Sequence, residues 1–105
     1  MTAKKIPEFI LFGKTQHWNF DRVKYTITKT MERCEIYLKD FKAYDNGITI
    51  NADCEKNPLV INIKETPNHI IVSIKCIYDA YEKQIKRRFC KIMDKVILSE
   101  MRILQ

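Results

Sequence analysis

The sequence predicts an α+β domain in which two helices pack on one face of an antiparallel sheet. Three observations lead there. Residues 47 to 76 fall into three alternating apolar runs divided by short turn-forming stretches. Residues 22 to 42 and 78 to 104 repeat their apolar side chains at helical spacing. The 105 residues include only two glycines and three prolines, so little interrupts regular structure. That length suits a single domain, residues 1–105, with one core.

The elements follow in order. Residues 8 to 13, EFILFG, read as a short buried strand bounded by Pro7 and Gly13. The loop KTQHWNFD follows, in which Asn19 or Asp21 is placed to cap a helix. From 22 to 42, Val23, Ile27, Thr30, Met31, Cys34, Tyr37, Leu38 and Phe41 line one side of a helical wheel. VKYTITKT and CEIYLKDF also alternate, but a hairpin turning at Met31-Glu32-Arg33 would lack Gly, Asn and Pro, and this favours the helix. Asp45-Asn46-Gly47 is a strong turn sequence, because Asn and Gly tolerate positive φ.

Three strands then form a meander. Ile48, Ile50 and Cys54 face inward from the first, Leu59, Ile61 and Ile63 from the second, and Ile70, Val72, Ile74 and Cys76 from the third. A last helix from Tyr78 to Leu104 lays Tyr78, Tyr81, Ile85, Phe89, Ile92 and Val96 over that face. The expected order is β-α-β-β-β-α: a three-stranded meander plus a short N-terminal strand, with both helices on one side. The alternative folds 22 to 42 as two more strands, giving a small antiparallel sheet or barrel with one long C-terminal helix.

Composition narrows the function. Apolar residues make up 46% and charged residues 30%, a globular balance. No apolar run approaches the ~20 residues of a membrane helix, and Phe9-Ile10-Leu11-Phe12 is too short for a signal-peptide core. A cytoplasmic protein without membrane contact is expected. The four cysteines, 34, 54, 76 and 90, sit among apolar neighbours and read as reduced core thiols. Structural zinc usually needs a close Cys pair, but the nearest two here are 14 apart, so no metal is expected.

The net charge of +6, from 19 Lys and Arg against 13 Asp and Glu, favours a polyanionic partner, nucleic acid or an acidic protein. Arg88, Lys91, Lys95 and Arg102 fall on one edge of the last helix, with Lys83 and Arg87 nearby on its outer side. Cations so aligned can track phosphates, and arginines can hold them bidentately. Most Lys/Arg runs are simply solvated faces. The outer face of the meander, with Thr49, Asn51, Asp53, Val60, Asn62, Lys64, His69, Ile71, Ser73 and Lys75, offers no aromatic side chain for base stacking. Backbone rather than base contact is therefore expected, to RNA or DNA alike.

The last turns are apolar on nearly every side, with Ile97, Leu98, Met101 and Leu104 lying off the main stripe. A helix apolar all round is buried on more than one side. These four residues are candidates for a homodimer interface, unless the strand EFILF covers them. That gives a second function class: a dimeric adaptor or inhibitor, of a size that suits a phage or viral accessory protein. Catalysis has little support. Two glycines build no phosphate loop, no cofactor motif occurs, and the one polar cluster, His17-Trp18-Asn19-Phe20-Asp21, reads better as a helix cap with aromatic lids. Cys90 lies beside Arg87 and Arg88, yet next to Phe89 in the stripe, so an inert thiol is expected. The leading expectation is a small basic, non-enzymatic binding module for nucleic-acid backbone.

Overall fold

The computed structural model describes residues 9–104, and their side chains as far as Glu100. The order is β1 (Phe9–Gly13), α1 (Phe20–Arg33), β2 (Ile36–Tyr44), β3 (Gly47–Cys54), β4 (Asn57–Glu65), β5 (His69–Cys76) and α2 (Asp79–Leu104). One five-stranded antiparallel sheet, in the order β1-β5-β4-β3-β2, carries both helices on one face. The α+β class and the meander of β3, β4 and β5 stand as the alternation of their apolar residues implied.

The first helix is shorter than its wheel suggested. Asn19 Oδ1 accepts from Arg22 N–H at 2.9 Å and caps the start. Cys34 closes the end, and Glu35 then takes a left-handed φ of 58° that stops the helix. Val23, Thr26, Ile27, Thr30 and Met31 are buried. The fully buried Thr26 and Thr30 hydroxyls bond back to the carbonyls of Arg22 and Thr26, at 3.0 and 2.8 Å, which keeps them satisfied inside the core.

The helix expected to run on to residue 42 is therefore corrected: Ile36–Tyr44 is a strand, paired edge to edge with β3. Its register shifts between Leu38 and Asp40, a bulge. The bulge puts Ile36, Leu38, Phe41 and Ala43 on the helix side, opposite Cys54, Ala52, Ile50 and Ile48. The helical wheel groups Tyr37 with Leu38 and Phe41, whereas the strand sets Tyr37 on the outer face and brings Ile36 and Ala43 to the helix side.

Two further expectations change. β1 is an edge strand, not a buried one: Phe12 is buried and Ile10 partly so, while Phe9 and Leu11 lie exposed on the outer face. Tyr78 and Tyr81 are exposed, because α2 begins beyond the sheet and reaches the core only from Ile85 onward. Phe89, Met93 and Val96 are its buried contacts. Glu82 ties the start of α2 to the sheet. Its Oε2 accepts from Cys76 N–H at 3.2 Å, and its Oε1 pairs with Lys86 at 2.9 Å. The Lys86 hydrogen bond, ahead of the Cys76 amide, holds this carboxyl below its ordinary pKa.

Candidate nucleic-acid interface

α2 exists because its apolar residues recur every three or four positions and the sheet's inner face needs a cover. That packing directs the opposite side to solvent. Lys83, Arg87, Lys91 and Lys95 are all exposed there. They stand four residues apart, so they form one ridge that winds slowly around the helix over about 18 Å. Among the described residues none of the four has a carboxylate within 4.0 Å. Like charges at this spacing repel, each pair costing about 0.2–0.5 kcal/mol of helix stability. Asp94 lies close to the ridge on the wheel and forms no ion pair within that distance.

Arg88, grouped with Lys91 and Lys95 by sequence, turns toward the sheet instead. Its guanidinium is 3.9 Å from Glu55 Oε1. It also borders a cleft of about 170 Å³ shared with Cys34, Cys54 and Tyr81. Arg102 lies on α2, but its side chain is outside the described residues, as are those of Met101 and Leu104. Of the expected interface pair that remains, Ile97 is partly buried against the core and Leu98 is 60% exposed.

The outer face of the sheet differs from its sequence description in one respect. β2 adds Tyr37, opposite Asp53, and Tyr44, opposite Gly47, together with Lys42 opposite Thr49. β1 adds Phe9, opposite Ser73. So the face does carry aromatics, at both of its margins. Tyr37 and Tyr44 were missed because residues 36 to 44 read as helix, and Phe9 because β1 read as a buried strand. Polar pairs occupy the middle: Thr49 donates to Asn62 at 2.7 Å, Asn51 donates to Asp40 at 2.6 Å, and Lys39 pairs with Asp53 at 2.9 Å.

His17 lies in the loop before α1, and Asp21 in the first turn of α1 itself. Thr15 Oγ1 accepts from the backbone N–H groups of His17 and Trp18, both at 3.1 Å. The Trp18 ring packs 4.7 Å from that of Phe12. Cys34, Cys54 and Cys76 are buried, and all four cysteines are free. Burial pushes each thiol up, Cys34 to about 11, and Cys90 is raised further by Asp94. Among the described residues no group of three or more His, Cys, Asp or Glu is placed to hold a metal ion. No described helix is long and apolar enough to cross a membrane. Compared with protein-family models, with curated proteins and with solved structures, the chain shows no match.

Proposed function

We propose that this protein is a small, non-catalytic module that holds nucleic-acid backbone along the solvent side of α2. The observation that supports this is the ridge of Lys83, Arg87, Lys91 and Lys95: exposed, evenly spaced, and without carboxylate partners among the described residues. The helix keeps three successive like-charge pairs, and a phosphate chain would turn that repulsion into attraction. Contacts of this kind neutralise phosphates and ignore base identity, so RNA and DNA should both bind.

The test is fluorescence anisotropy with mixed-sequence RNA and DNA at ~50 and ~200 mM salt. Wild type should bind at the lower salt and weaken by about an order of magnitude or more at the higher. Arg87→Glu/Lys91→Glu should abolish binding at both. Failure of the wild type to bind at the lower salt would remove the reading.

A second reading rests on the exposure of Leu98. In it the apolar end of α2 docks another protein, as an adaptor or inhibitor would, or a second copy, with Ile97, Leu98, Met101 and Leu104 as the contact. Leu98→Lys should then abolish capture of that partner and leave nucleic-acid binding intact.

A further inference from the structure

β2 is the only long strand in the sheet whose outer edge is unpaired among the described residues. After Ile36, every residue of it is exposed. Tyr37, Leu38, Phe41 and Tyr44 are exposed by 68%, 56%, 60% and 52%. Leu38 and Phe41 lie on the helix side, where strand residues ordinarily join the core. They instead line an open apolar groove of about 250 Å³, floored by Ile48 and Ile50 and walled by Met31. A long apolar edge of this kind is a template for another strand.

We propose that the strand it takes is β2 of a second copy, antiparallel across a two-fold axis between Lys39 and Asp40. This interface is separate from the α2 ridge and does not depend on it. The argument is self-complementarity. In a two-fold pairing each residue meets the one whose number completes a constant sum, and the facing side chains must lie on the same side of the sheet. With the axis at 39/40, Leu38 meets Phe41 of the second copy and Ile36 meets Ala43. All four are helix-side residues. Tyr37 meets Lys42, both on the outer face, a cation over a ring. Lys39 meets Asp40, opposite charges, twice over, beside the contacts each makes within its own chain, to Asp53 and Asn51. In a regular strand these partners, an odd number of residues apart, would point to opposite faces. The bulge between Leu38 and Asp40 is what brings them to the same one. Moving the axis by half a residue, onto Asp40 itself, would set Asp40 against its own copy and Leu38 against Lys42.

The pairing would close the groove with the Leu38 and Phe41 side chains of both copies and join two five-stranded sheets into one of ten strands. The experiment is analytical ultracentrifugation of the full chain from micromolar to millimolar concentration, with its variants. The wild type should be a concentration-dependent dimer. Leu38→Asp/Phe41→Asp, at residues exposed in the monomer, sets like charges opposite each other and should raise its dissociation constant about a hundredfold or more with the circular dichroism unchanged. Lys39→Asp and Asp40→Lys should each weaken the dimer, and the double exchange should restore it, because only the exchanged pair is again opposite in charge. Intermolecular nuclear Overhauser contacts should join the Leu38 methyls to the Phe41 ring. A monomeric wild type at millimolar concentration overturns the proposal. So does a dimer that survives Leu38→Asp/Phe41→Asp, or one that Leu98→Lys dissociates.

Discussion

Thr26, in the middle of α1, holds its hydroxyl oxygen 3.1 Å from Oε2 of Glu100, near the end of α2. The same carboxylate oxygen lies 3.4 Å from the Arg22 guanidinium. Glu100 is thus a polar clasp between the two helices. Its Oε1 is buried without a partner among the described residues, so the carboxylate is held by one side only. Removing it leaves the buried Thr26 hydroxyl with its intrahelical acceptor alone and Arg22 without an anion. Glu100→Ala should lower unfolding free energy by about 1–3 kcal/mol, read as a lower urea midpoint with an unchanged slope. An unmoved midpoint would mean that the clasp contributes nothing.

The β3–β4 turn holds stored strain. Glu55 and Lys56 both adopt positive φ, 51° and 69°, between the paired Cys54 and Asn57. This is a two-residue hairpin turn with both central residues left-handed, the geometry that Asn-Gly fits and side-chain-bearing residues resist. Lys56→Gly should stabilise the protein by about 0.5–1 kcal/mol, measured as a raised thermal midpoint. A fall in the midpoint would show that the Lys56 side chain contributes more than its backbone costs.

Gly47 behaves in the opposite way. No glycine described here has positive φ, so the Asp45-Asn46-Gly47 turn does not use the freedom that its sequence advertises. Gly47 opens β3 instead, and a Cβ there would sit 2.6 Å from the Ile63 carbonyl oxygen. Gly47→Ala should therefore cost about 1–3 kcal/mol by overpacking against backbone that cannot yield. Denaturant titration checks it, and a neutral result would mean that β3 and β4 can part locally.

The strands from 47 to 76 were readable because each buries one face, and period-two alternation has few rivals there. Residues 36 to 44 were not: CEIYLKDF alternates, but no Gly, Asn or Pro marks the end of α1, where Glu35 itself takes the left-handed φ of 58°. The same misreading hid Tyr37, Tyr44 and Lys42 from the outer face, and with them the self-complementary edge. The two hairpin turns were legible in position but not in torsion. Asn-Gly occurs where close approach, not torsion, requires glycine, while Glu-Lys carries the torsion. Of the α2 cations that the sequence aligned, Lys91 and Lys95 share an exposed ridge, and Lys83 and Arg87 continue it. The turn of Arg88 toward Glu55 was not legible, since it depends on where the β3–β4 turn ends.

Burial of the thiols sets a direction for alkaline stability. Desolvation raises Cys34 from its ordinary value of 9.0 to about 11, and raises Cys54 and Cys76 as well. A thiol whose pKa is higher folded than unfolded binds its proton more tightly in the native state. That contribution is fully present below the unfolded pKa and is lost as pH rises from about 9 toward about 11. Stability should therefore be flat with respect to these groups near neutrality and fall through that window. Cys34→Ala should lose part of the fall while lowering stability at neutral pH through the cavity it leaves. The comparison is between the slopes of wild type and Cys34→Ala. Identical slopes would show that the Cys34 thiol keeps no preference for its protonated form in the native state. In the folded protein at pH 7 a disulfide-exchange reagent should modify the buried Cys34, Cys54 and Cys76 only at the rate of opening, and denaturant should expose all four thiols together.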